Sequence, residues 1–182
     1  MSDERTIGER LVKALKRPAI GGPAALVVLL VIAFYGWSFT CPCERTPGAV
    51  LFGYEQPFPV DDWTFANDVT LCQIQINAGF RPHAINLNCF ANDEGNLYLS
   101  CSSCDGKLWS GFAIRDGRAW LRLDRNVYPV HLTRIVAPGE LDMAWVARLD
   151  KLHSLEEPAN PPAPLGSPRP EGWWTFRVRS RT

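Results

Sequence analysis

Not one charged side chain occurs between residues 18 and 43. Within that gap Ala19–Phe39 is a 21-residue apolar run, roughly 31 Å long at the helical rise and so matched to the hydrocarbon core of a bilayer. Tyr35–Cys41 has no pair of small residues at A-x-A spacing, which argues against a cleaved signal peptide. Trp37-Ser38-Phe39-Thr40 likewise lacks the small residues that lipid modification of Cys41 would need. Cations are scarce after the run: Arg5, Arg10, Lys13, Lys16 and Arg17 precede it, and only Arg45 follows before residue 81. The positive-inside rule therefore predicts a cytoplasmic N-terminus and an exported remainder.

Other absences remove whole classes of function. Residues 1–17 hold five of the 19 basic and three of the 19 acidic side chains, leaving 14 and 16 for the rest. That slightly acidic balance offers no basic field, so no nucleic-acid partner is expected. No C-x-x-C-H occurs, since Asp105 follows Cys104, which excludes covalent haem of the c type. His83, His131 and His153 show neither H-x-x-x-H nor H-E-x-x-H spacing, and no nucleophile elbow supports Ser-His-Asp chemistry.

All six cysteines, Cys41, Cys43, Cys72, Cys89, Cys101 and Cys104, lie beyond the apolar run. An even count in an exported domain reads first as disulfides. The organisation expected is a cytoplasmic lead over 1–17, a transmembrane helix over 18–40 and a Pro/Gly-rich juxtamembrane linker over 41–60. A folded domain over 61–155, a proline-rich linker over 156–171 and a returning strand over 172–182 complete it.

Within the domain the pattern is β. Asp68–Asn77 carries β-branched residues; Ala84–Ala91 alternates, with Ile85, Leu87 and Cys89 on one face and Asn86 and Asn88 on the other. Asn92-Asp93-Glu94-Gly95-Asn96 is a turn, and Leu97–Cys101 resumes the alternation, so the two runs form a hairpin. A short helix is predicted over 105–115, a second hairpin from 119–123 and 127–136, with Pro129 marking an edge or bulged strand. A helix follows through about Leu152, whose stripe of Leu141, Ala144, Trp145, Leu149 and Leu152 carries Arg148 at its margin. Six prolines over 156–170 preclude regular structure there, and Gly172–Arg179 alternates again with Trp174, Phe176 and Val178 inward. The class is α+β, mainly β: a membrane helix followed by a small antiparallel split barrel.

The sequence of motifs resembles a known family. Arg81-Pro82-His83 precedes the second strand, Gly95-Asn96-Leu97-Tyr98-Leu99 lies on the third, Lys107-Leu108-Trp109 follows it, and Tyr128-Pro129-Val130 leads to Arg134-Ile135-Val136. Over about residues 61–152 this order is similar to the flavin-binding split barrels of the pyridoxamine 5′-phosphate oxidase superfamily, including its deazaflavin-dependent nitroreductase branch. The resemblance implies FMN or a deazaflavin as cofactor, with Ser100, Ser102, Ser103 and Lys107 around its phosphate, Trp109 beside its ring and His83 as a further site candidate. Asn86 and Asn88 stand on the second strand where oxidase members carry an arginine and a lysine.

The cysteines admit several readings. If Ala91 stands opposite Leu99, Cys89 falls directly across from Cys101, near enough to bridge. Cys101-Ser102-Ser103-Cys104 at a helix start is also the context of a thiol-redox motif. A four-cysteine metal site from Cys72, Cys89, Cys101 and Cys104 is the sharper alternative. The function expected first is a non-catalytic accessory subunit, anchored through Ala19–Phe39 beside a larger membrane complex or in a homodimer. Its setting is a bacterial inner membrane, with the domain periplasmic. A flavin- or deazaflavin-dependent oxidoreductase and a thiol-redox protein are the alternatives.

Overall fold

The computed structural model describes residues 18–38, 42 and 46–181. Cys41 and Cys43 lie outside the described residues, as does the expected cytoplasmic lead. The chain divides into two units, with the boundary after Ser38.

The first unit contributes helix α1, Pro18–Ser38. Its side chains are described over residues 22–37, and from Leu26 to Ile32 each large apolar one is about half exposed or more. Among the described residues no helix is long and apolar enough to cross a membrane. The transmembrane span expected over 18–40 is therefore not established by the structure.

The second unit is the antiparallel barrel with helices that the alternation predicts. Its strands are β1 (Tyr54–Glu55), β2 (Cys72–Ala78), β3 (Arg81–Ala91), β4 (Leu97–Cys101), β5 (Arg118–Leu123), β6 (Asn126–Ile135) and β7 (Trp174–Ser180). The order β6-β5-β2-β3-β4-β7 closes on itself through β6–β7 pairing, giving six antiparallel strands, and β1 adds to β6 in parallel. Closure leaves the barrel strands no long free edge. Alternate side chains point inward, so Ile74, Ile76, Leu97, Leu99, Leu121, Val130 and Phe176 are fully buried. Each such aliphatic side chain contributes about 1.5–3 kcal/mol by leaving water.

Helix α2 (Leu108–Arg115) sends Trp109 and Ala113 into the same core, as a 3₁₀ turn over Thr64–Asp68 does with Ala66. Helix α3 (Pro138–Ser154) lies on the barrel's outer face. It packs Ala144 and Ala147 against Phe90, Tyr98 and Ile135, which project outward by the period-2 rule. Glu140 in its first turn accepts from Arg177 Nε at 2.7 Å, an anion where the helix dipole favours one. No regular element occurs between Ser154 and Trp174. That proline-rich segment is nevertheless fastened to α3: Trp145 Nε1 donates to Ser167 O at 2.8 Å, and His153 Nε2 meets Ala163 O at 2.9 Å.

Three expectations are corrected here. Residues 46–60 are not a free linker, because Ala49 and Leu51 are buried and Gly48 bridges Ala84. Pro129 is not on an edge strand, since β6 has neighbours on both sides. Its ring nitrogen falls where β7 runs out, next to Pro129 O, which accepts from Arg181 N at 2.9 Å. The third concerns the hairpin: Ala91 pairs with Leu97 and Cys89 with Leu99, so Cys89 does not face Cys101. Disulfides join Cys72 to Cys89 between β2 and β3, with Cα atoms 5.7 Å apart, and Cys101 to Cys104 within the C-x-x-C, 5.5 Å apart. All four thiols of the proposed metal set are thereby consumed, and no metal-binding cluster occurs among the described residues.

Candidate functional site

Strand β3 changes partner midway, pairing with β2 as far as Leu87 and with β4 from Asn88. On the outer face of this junction Asn88 stands opposite Ser100. Helix α3 brings Trp145 and Arg148 over that face, and the proline-rich segment adds Asn160, Pro161, Pro168, Pro170 and Trp173. Together with Asn86, Ser102 and Lys107 they line a cleft of about 1060 Å³, at the upper end of the range of small-molecule sites.

Its polar wall is under-satisfied. Ser100 Oγ and Asn88 Oδ1 are buried atoms with no hydrogen-bond partner, and so is Arg148 Nε. A buried polar group without a partner costs about 1–3 kcal/mol, more when charged, so three around one cleft are a concentrated deficit. Arg148 is 4% exposed. Its guanidinium lies 4.5 Å from the Trp173 ring centre and 5.1 Å from that of Trp145. Burial pulls its pKa down to about 10, and no neighbouring carboxylate opposes the shift. It is still a cation at neutral pH.

The residues singled out from sequence are partly united here. Ser100, Ser102 and Lys107 share the cleft wall, whereas Ser103 is exposed in the turn and is not part of it. Lys107 Nζ lies 3.7 Å from Cys101 Sγ, so the disulfide and the ammonium form one rim. His83 lines a smaller adjoining cleft of about 460 Å³ with Ile85, Asn86, Leu87, Lys107 and Trp109. Burial and the nearby Arg81 charge lower the His83 pKa, so its ring is neutral at pH 7. Trp109 is only 4% exposed, with its ring centre 5.3 Å from that of Phe176. It belongs to the barrel core and at the same time lines that smaller cleft.

The sequence pattern puts Trp145 in an apolar stripe with Arg148 at its margin, and gives Trp173 no role. The signal was present: an arginine three residues after a tryptophan, on the face that must be buried, has to find compensation somewhere. What it could not disclose is that a second tryptophan arrives from the far side of the proline-rich segment.

No family model matches the chain, and no curated protein matches it. Among solved structures, a NimC/NimA family protein from Clostridium acetobutylicum is 11% identical, covering 65% of this chain and 81% of its own, with a TM-score of 0.42. A conserved hypothetical protein from Mycobacterium tuberculosis is 12% identical over 70% of this chain and 86% of its own, at a TM-score of 0.43. A provisionally assigned pyridoxamine 5′-phosphate oxidase from Corynebacterium glutamicum is 15% identical over 64% and 83%, at 0.36. Likeness at this level bears no functional weight, and the barrel assignment rests on the strand pairings above.

Proposed function

We propose that the barrel binds a phosphate-bearing cofactor of the flavin or deazaflavin type in the β3–β4 cleft and is an oxidoreductase of that kind. The observation that carries this reading is the Ser100 hydroxyl, buried and unpartnered on a wall that also presents Ser102 and Lys107. Those residues suit a phosphate: two hydroxyls to hydrogen-bond its oxygens and one ammonium to supply charge. Bound there, such a cofactor would supply the hydride or electron chemistry, and the protein would supply grip and shelter. The proline-rich segment, latched through Trp145 and Ser167, keeps bulk water from one side of the cleft.

An absorbance spectrum of the detergent-solubilised protein, with FMN or a deazaflavin supplied in excess, tests this directly. Lys107→Ala should weaken binding by roughly 10-fold or more, since a charge-assisted hydrogen bond is worth about 1.5–3 kcal/mol. Wild-type protein that takes up neither cofactor would eliminate the reading. The accessory-subunit role has no observation in its favour and is not carried further.

Membrane attachment through residues 18–40, N-terminus inside and barrel outside, is a separate proposal. A 21-residue helix without a charged side chain and a barrel with four paired cysteines support it. A reporter fused after Thr182 should be active only outside the cytoplasm; activity inside would overturn it.

A further inference from the structure

We infer that Arg148 is the receptor for an oxyanion, the carboxylate or phosphate group of a small molecule that enters the β3–β4 cleft beneath the proline-rich segment. A guanidinium has five N–H donors spread in one plane. The Trp145 and Trp173 rings, at 79° to one another, attract the cation through their π-faces but carry no oxygen to accept its N–H groups. Arg148 is not a member of the ion pairs that Arg118, Arg169 and Arg177 form. Its Nε has no partner. A cation taken out of water with so little compensation is costly, and a bound anion is the compensation the site lacks.

The class of ligand follows from the donor set. The flat fork of arginine matches two oxygens of a carboxylate or phosphate at once, which a halide or a neutral amide cannot reproduce. Ser100 adds a hydroxyl that can donate from the same wall, and no acidic side chain lines the cleft to repel an anion. Trp145, which flanks the guanidinium, also holds Ser167 of the proline-rich segment. The same tryptophan therefore touches both Arg148 and the segment that covers the cleft.

Arg148 lies outside the set proposed to grip a cofactor phosphate, so the inference stands or falls separately from the flavin reading. The test is calorimetric titration of the full-length protein, in an amine buffer free of oxyanions, with inorganic phosphate and with benzoate. At least one should bind, and Arg148→Gln should weaken it about 10-fold or more; Arg148→Lys, which keeps charge but loses the fork, should also weaken it. An Arg148→Gln protein that binds as wild type does, or a wild type that binds neither probe at tens of millimolar, would overturn the inference. If the variants do not fold, the Arg148 Nε–H resonance of the ¹⁵N-labelled wild type decides: it must move on titration, and a resonance unmoved at saturation refutes the site. A parallel FMN titration separates the two readings. Benzoate or phosphate bound without FMN removes the cofactor and keeps the receptor, and the reverse result removes the receptor.

Discussion

Helix α3 buries two cations three residues apart, and they are handled in opposite ways. Arg148 and Lys151 are each 4% exposed. Lys151 Nζ donates to Ala66 O at 2.7 Å, Val69 O at 2.5 Å and Cys89 O at 2.7 Å. Those carbonyls need a donor because the 3₁₀ turn has ended and β3 has just parted from β2. Asn67 secures the same corner by accepting from Ala91 N at 2.8 Å and donating to Ala91 O at 3.0 Å. All three protons of the ammonium are used, so Lys151 is a structural tie. Arg148, one turn earlier, has two tryptophan rings beside it and no acceptor at Nε. A buried charge is informative only once its acceptors have been counted.

The strongest way to break this comparison is Lys151→Met. It leaves three carbonyls, two of them buried, without a donor and should cost about 3–5 kcal/mol in denaturant unfolding. A loss below about 1 kcal/mol would mean the corner rehydrates and that Lys151 is no tie. Replacing Cys72 and Cys89 together by Ala should cost about 3 kcal/mol, the loop-closure value for a separation near that of these residues, 17. Because Lys151 also bonds to Cys89, the double and triple variants should be non-additive. Additivity would place the disulfide and the lysine in independent regions.

A smaller effect comes from pH. Burial lowers the Lys151 ammonium to about 8 from 10.5, with Asp68 opposing the shift in part. Between those values the unfolded chain holds the proton more tightly, so unfolding free energy should rise with pH across that window. The slope should vanish in Lys151→Met; if it persists there, another group is responsible. The smallest effect sharpens the other side of the comparison. Arg148→Met, with no ligand present, should change stability by less than about 1 kcal/mol, because the lost stacking is offset by relief of an unpaired buried charge. A destabilisation as large as that of Lys151→Met would make Arg148 structural too.

Much of the fold was legible because alternation reports faces directly. Turn 92–96, strand Leu97–Cys101, and the inward set of Phe176 and Val178 all stand where the pattern puts them. The disulfide was misread for a reason intrinsic to strands. Pairing Ala91 with Leu97 or with Leu99 differs by two residues, and a two-residue slip keeps every side chain on its face. Hydrophobic pattern therefore cannot choose between the registers. The site was legible only in its local part: Ser100, Ser102 and Lys107 lie within one short turn, so their nearness was already present in the chain.

Local chemistry alone settled the placing of turns, the strand faces, the helix over 138–152 and the irregular stretch set by six prolines, since each depends on neighbours a few residues apart. Closure of the barrel, the partner of Cys89 and the opposite fates of Arg148 and Lys151 belong to the tertiary structure. Each was decided by groups far apart in sequence: Val69 O, which meets Lys151 Nζ, is 82 residues away along the chain. Trp173 reaches Arg148 only after the proline-rich segment has turned back over α3. Whether a buried charge meets an acceptor is a property of three-dimensional neighbours, and no periodicity in the sequence encodes it.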